Sequence, residues 1–294
     1  MTNWDFPCSD PVDISIDTWT SGSIVVAGEP TSTITVEVVP SHHGADVDDL
    51  IAQVGVAFDD GQLYIRGPRL SGFRRKKGLD LTIKVPPGSS CAAKTVSADL
   101  AAVGELSGLT MQTASGDVTA AAVTGNVTVQ SASGDVLLQA AGGDIAINTA
   151  SGDIQAASVD GDARINTASG DVTIGHCTGS VQARTASGDV DLSAVASGEV
   201  DLVSASGDLA VAVVPGIGVY LDLASTSGSI RSELDASDDG EDASDAAVQI
   251  SCRTLSGDIR IRKARGAAAQ PAAPAGPADA ADAADAGEPD AIGR

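Results

Sequence analysis

The stretch that decides the fold is TASGDVTAAAVTGNVTVQSASGDVLLQAAGGDIAINTASGDI, residues Thr113 to Ile154. Glycine stands at 116, 125, 134, 143, 152, 161, 170, 179 and 188, every ninth residue, and then at 198 and 207 after one extra residue near Ala194 to Ser197. The half-repeats alternate. SGD copies at 116, 134, 152, 170 and 188 are interleaved with looser TGN, GGD, DGD and TGS copies, so the full period is eighteen residues. A fixed period of this length is the mark of a stacked-repeat architecture rather than a globular core.

Counted from each glycine as position one, position three is Val118, Val127, Val136, Ile145, Ile154, Ala163, Val172, Val181 and Val190. Position five is Ala120, Val129, Leu138, Ile147, Ala156, Ile165, Ile174, Ala183 and Leu192, whereas positions two, four and six are mostly polar. Alternation with a period of two predicts a half-buried strand of about five residues, with positions three and five inward. Position eight is again apolar, from Val123, Ala132 and Ala141 to Cys177 and Ala186, and predicts an inward residue at every corner. Strand, corner, strand, corner fills one coil. The expected fold is therefore an all-β parallel solenoid of about 18-residue coils, made of two 9-residue half-coils, with one strand in each of two sheets and coils about 4.8 Å apart. Glycine suits a corner that needs positive φ, and the Asp after it can accept a corner N–H.

Composition agrees. The 294 residues include only two tryptophans, two tyrosines and three phenylalanines, and all of these but Tyr220 precede residue 74. An interior of Val, Ile, Leu and Ala fills a thin layer between two close sheets. The remaining segments give three expected regions: a β-rich cap over residues 1–90, continuous with the solenoid; the solenoid proper over 91–265; and a disordered Ala, Pro and Asp tail over 266–294. Within the first, VDISID, SIVVAG, STITVEVV and LDLTIKVPPG read as strands, Asp46 to Val54 as a short helix, and Asp59 to Gly61 as a hairpin turn.

A net charge of −23 argues against nucleic acid as a partner. The N-terminus MTNWDFPCSDPVD has neither the basic nor the apolar region of a secretory signal, and no apolar run has membrane-spanning length. These features lead to the expectation of a cytoplasmic protein, with export by a route without a signal peptide left open. Cys8, Cys91, Cys177 and Cys252 are far apart and are expected to be reduced.

Taken in order, PVDISID, LTIKVPPGS, the SGDV/SGDI units, GVYLDLASTSGSI, an acidic loop and RTLSGDIRIR resemble the bacterial "putative adhesin" repeat domains of unknown function, over roughly residues 10 to 263. That resemblance implies a β-solenoid and a non-enzymatic, adhesin-like binding scaffold with an unknown protein or glycan partner. It implies no catalytic residues and no cofactor.

Several side-chain sets qualify as candidate sites. Asp117, Asp135, Asp153, Asp171 and Asp189 should form a column with one carboxylate per coil. Neighbours about 4.8 Å apart repel by about 1 kcal/mol in water and about 3.5 kcal/mol at an effective dielectric of 20. Hydrogen bonds to corner N–H groups would relieve this; so would a divalent cation, as in the calcium-binding nonapeptide β-rolls, although those carry more glycine and pair Asp from two corners. Thr149, Ser151, Thr167 and Ser169 would form outward hydroxyl rows able to meet a polysaccharide, but with no aromatic platform in the repeat before Tyr220. Arg66, Arg69, Arg74, Arg75, Lys76 and Lys77 make a basic loop that is either solvated or paired with an acidic partner, such as the Glu233 to Asp245 loop of a second copy. His42, His43 and His176 are too scattered for a metal site or triad, and no phosphate loop or nucleophile elbow occurs. The alternatives to a binding scaffold are a self-assembling cytoplasmic scaffold similar to the bactofilins and, on weaker grounds, a β-helical polysaccharide enzyme.

Overall fold

The computed structural model describes residues 2–41, 47–68, 78–234 and 247–264. The chain divides into two units, Met1–Ala264 and Arg265–Arg294, and all described residues lie in the first. The expected tail, most of the basic loop (Arg69 to Lys77), most of the acidic loop (Asp235 to Ala246) and His42 and His43 lie outside the described residues.

The elements before the repeat are β1 (Thr2–Pro7), β2 (Asp13–Gly28), β3 (Thr33–Pro40), α1 (Val47–Ile51), β4 (Gly55–Asp59), β5 (Gln62–Arg66), β6 (Leu79–Val85) and the long β7 (Ser89–Gln112). The repeat supplies β8 (Val118–Val123), β9 (Val127–Gln130), β10 (Val136–Ala141), β11 (Ile145–Ser151), β12 (Ile154–Val159), β13 (Ala163–Ser169), β14 (Val172–Cys177), β15 (Val181–Ser187), β16 (Val190–Val195), β17 (Gly198–Ser206) and β18 (Leu209–Val213). Four more follow: β19 (Val219–Ser227), β20 (Ile230–Ser232), β21 (Val248–Ser256) and β22 (Ile259–Lys263).

The architecture is an all-β, largely parallel solenoid. Val118, Val136, Ile154, Val172 and Val190 sit opposite one another through β8, β10, β12, β14 and β16. Val127, Ile145, Ala163 and Val181 do the same through β9, β11, β13 and β15. We call these the SGD face and the interleaved face. Every residue expected inward at positions three and five is buried, none more than 2% exposed. Burying each Val, Ile or Leu is worth about 1.5–3 kcal/mol. Because the side-chain period is two, the same burial fixes the register between coils. The extra residue near Ala194 lengthens one coil, so that Val181 stands opposite Val200.

The corners differ from expectation. Position eight points inward only after the SGD strands, at Val123, Ala141, Val159 and Cys177, while Ala132, Ala150, Ala168 and Ala186 are exposed. At those corners the inward residue is position seven instead: Thr149, Thr167, Thr185 and then Ser204. The SGD strands break the two-residue alternation after position five, with two outward residues in a row before the inward position eight, as at Gln139 and Ala140 ahead of Ala141, whereas the interleaved strands keep the alternation through position seven and so turn the threonine inward. Thr149 and Thr167 donate their hydroxyls to the carbonyls of Ser151 and Ser169. The expected outward Thr rows are therefore part of the interior.

Chain order and stacking order part company at both ends. Strand β2 pairs with β7 on one edge and with β5 and β6 on the other, so residues 13–28 form a coil inside residues 62–85. Beyond it the pairing turns antiparallel, β1 to β3, β3 to β6 and β4 to β5. There Phe6 and Phe58 pack with ring centroids 5.6 Å apart. At the other end β21 lies between β17 and β19, and β22 between β18 and β20, so the last coil in sequence is the penultimate one in space.

Candidate functional site

Two outward features are built by the repeat, and the first is the Asp column on the SGD corners. Asp117 Oδ1 accepts the backbone N–H of Asp135 at 2.9 Å, and the pattern continues from Asp135 to Asp153, Asp153 to Asp171 and Asp171 to Asp189 at 2.8–2.9 Å. It extends past the repeat through Asp208 and Asp258 to the N–H of Ser229. Each carboxylate thus binds the next coil; the second oxygens of Asp208 and Asp258 meet Arg260 at 3.3 and 3.1 Å, and the exposed Asp117 to Asp189 keep theirs toward solvent. The N–H and then the hydroxyl of Ser229, with Arg260 nearby, hold the Asp258 carboxyl below its ordinary range. A parallel ladder runs along the interleaved corners, from Asn126 to Asp144 to Asp162 to Ser180. The amide of Asn126 does the work of a carboxylate there, so charge is not what the ladder requires.

The corner glycines serve these ladders by close approach. A Cβ on Gly170, at φ +126°, would lie 2.2 Å from the carbonyl oxygen of Gly152. The interleaved Gly179 has no positive φ, yet its Cβ would still meet the Gly161 oxygen at 2.4 Å. Positive φ, expected at all corners, therefore holds at the SGD corners from Gly134 to Gly207 and at the lengthened corner Gly198, but not at Gly116 or at the interleaved Gly125, Gly143, Gly161 and Gly179.

The second feature is a groove of about 410 Å³ across the outward side of the interleaved face. One row of its lining is Asn126, Asp144, Asp162, Ser180 and Glu199; the other includes Thr128, Ala146, Arg164, Gln182 and Asp201. Ala146 leaves the gap between longer neighbours. Arg164 is turned along the groove by donating Nε–H to Gln182 Oε1 at 3.2 Å, and Asp201 is 3.6 Å from Arg184. Asp144, Asp162 and Glu199 are in no ion pair among the described residues. The groove is therefore acidic, polar and set on a hydrogen-bonded sheet.

The described residues hold no group of three His, Cys, Asp or Glu placed to share a metal ion. Burial pushes the thiols of Cys91 and Cys252 up to about 12 and raises that of Cys177, so none is a poised nucleophile. His176 stands beside Ser158 of the previous coil.

With the ladder and its coils in view, the family follows: residues 12–262 match Toastrack DUF4097. The chain belongs to that family. No curated protein matches it. Among solved structures, it is similar to a "putative adhesin" from Bacteroides fragilis at 17% identity, with 88% of this chain and 96% of that one covered and a TM-score of 0.46. It is also similar to a "putative lipid binding protein" from Parabacteroides distasonis at 14% identity, covering 89% and 96% with a TM-score of 0.38. A "putative cell adhesion protein" from Clostridium sporogenes matches at 11% identity over 89% and 99%, with a TM-score of 0.25. This Toastrack chain is thus a repeat β-sheet domain resembling adhesin-like proteins. The cytoplasmic expectation does not stand: similar solved structures are named "putative adhesin" and "putative cell adhesion protein", and neither an N-terminal segment nor the lack of a membrane-spanning run places a protein in a compartment. Among the described residues no helix is long and apolar enough to cross a membrane.

Proposed function

We propose that this Toastrack domain is a non-catalytic binding scaffold whose interleaved face receives an extended, basic stretch of a partner protein. The observation that carries the reading is the acidic groove of about 410 Å³ whose lining repeats with every coil. Its walls offer Asp144, Asp162 and Glu199 with no cation assigned to them among the described residues. Asp144 and Asp162, one coil apart, and Glu199 two coils further on complement ammonium or guanidinium groups borne along an extended chain, and such complementarity steers encounter and sets register. Binding through loop-free strands also loses little entropy on the scaffold side, because the ladder already fixes the groove.

The test is a titration of the full chain with a synthetic peptide alternating Lys and Thr, against the same peptide with Glu for Lys. The Lys peptide should bind, more weakly as salt rises, and the double variant Asp144→Asn, Asp162→Asn should weaken it about tenfold, the equivalent of 1.4 kcal/mol. Asn keeps the Oδ1 acceptor that the ladder uses, as Asn126 does, so the fold should stand. Equal binding of the Glu peptide, or no change in the Asn variant, would overturn the groove as the binding surface.

A further inference from the structure

The same face carries a different chemistry nearer its N-terminal end. Strands β5, β2 and β7 lie side by side there, with Tyr64 opposite Ser15 and Ser15 opposite Ala92. Arg66 is opposite Asp17, two residues further along each strand and so on the same side of the sheet. Tyr64 is 48% exposed in an otherwise aromatic-poor chain, and it donates its hydroxyl to Gln62 Oε1 on its own strand. The ring stands as a wall between two hollows. One, of about 390 Å³, is lined by Gln53, Val56, Tyr64 and Arg66; the other, of about 260 Å³, by Tyr64, Ala92, Lys94, Thr110 and Gln112. Ser15, Asp17 and Arg66 belong to both, as does Tyr64.

The cations here share with Arg164 and Arg231 a place outside the ion pairs of the described residues. Lys84, Arg184, Arg253, Arg260 and Arg262 all stand within 4 Å of a carboxylate. Arg66 and Lys94 are exposed and are in no such pair among the described residues, despite the strongly acidic chain around them. With Asp17 they leave a local charge of about +1, which attracts a carboxylate. A flat exposed ring accepts the C–H face of a sugar, and Ser15, Thr110 and Gln112 supply donors and acceptors for hydroxyls.

We propose that the two hollows flanking Tyr64 form one binding site for an acidic saccharide, in which a uronate-type ring stacks on Tyr64 and its carboxylate is held by Arg66 and Lys94 together. This site is separate from the acidic groove and does not rest on the basic-peptide reading. Small Ala92 opens the floor beside the tyrosine.

Calorimetric titration of the full chain with trisaccharides of galacturonate, mannuronate and glucuronate, alongside the neutral galactose, mannose and glucose counterparts and inorganic phosphate, tests it. At least one uronate should bind, its neutral counterpart about tenfold or more weakly, since a hydrogen bond to a charged group is worth about 1.5–3 kcal/mol. Tyr64→Ala and Lys94→Gln should each weaken that binding about tenfold, Tyr64→Phe should preserve it, and all three should melt like the parent chain because these side chains are exposed. Asp144→Asn, Asp162→Asn should leave uronate binding unchanged, which separates this site from the groove. Failure of every uronate to bind, equal binding of the neutral sugar or of phosphate, or uronate binding that survives Tyr64→Ala would each overturn the proposal.

Discussion

Thr167 and Thr185 occupy equivalent places in successive coils, both turned inward, yet they are not energetically equivalent. The Thr167 hydroxyl donates to the Ser169 carbonyl at 3.0 Å, while the Thr185 hydroxyl is buried with no hydrogen-bond partner. A buried hydrogen bond contributes about 1 kcal/mol net, and an unpartnered buried hydroxyl costs about 1–3 kcal/mol in desolvation. Valine keeps the branched shape and removes only the polar atom. Thr167→Val should therefore lower stability by about 1 kcal/mol, and Thr185→Val should leave it unchanged or raise it by up to about 1 kcal/mol. The midpoints of urea denaturation decide this, and shifts of the same sign and size would contradict the distinction. The residue scale also shows where sequence reading stops. Positions three and five are legible because a two-residue alternation needs only local chain geometry. Whether Thr149 or Ala150 turns inward depends on whether the strand keeps its alternation up to the corner or breaks it, and composition carries no signal for that.

At the scale of the coil, one contact recurs: the backbone of each corner rests on the carbonyl below it. Glycine is needed because any Cβ would enter that contact, and at Gly170 a left-handed φ adds to the demand. Gly55, in the antiparallel cap, has no such constraint, since a Cβ there would meet nothing nearer than Arg66 Cβ at 3.9 Å. Gly170→Ala should accordingly destabilise by well over 1 kcal/mol, whereas Gly55→Ala should be tolerated, as thermal melting of the two variants will show. A Gly170→Ala protein melting like its parent would mean that coils slide apart at little cost. The nine-residue glycine rhythm made the corners readable from sequence, although it suggested one cause for two different ones. The stacking order was not readable. That β2 sits between β6 and β7, or β21 between β17 and β19, follows from pairings across tens of residues, and each segment has the same apolar alternation whichever neighbour it meets. Tyr64 was passed over for the same reason: its strand belongs to the interleaved face only through the insertion of β2.

For the whole molecule, the governing quantity is a net charge of −23, to which the stacked SGD corners add one carboxylate per coil. A ladder with one carboxylate per coil brings like charges about 4.8 Å apart, at a cost of about 1 kcal/mol per neighbour in water. The N–H of the next coil offsets this repulsion at every step, taking one oxygen of each Asp and leaving one per residue toward solvent. Calcium prefers six to eight oxygen ligands, which such a column does not gather at any one point. Calcium at millimolar concentration should therefore act as a screening salt, raising the melting temperature no more than sodium chloride of equal ionic strength. Changing Asp135, Asp153 and Asp171 together to Asn keeps each Oδ1 acceptor and removes three of the charges, so that variant should melt slightly above the parent and respond less to either salt. Were the column instead a set of cation sites, calcium would raise the melting temperature well beyond the sodium control by binding only the folded state, and the triple variant would abolish the rise. Melting curves of both proteins in the two salts separate these outcomes, because screening moves parent and variant in proportion to charge whereas a bound cation moves the parent alone.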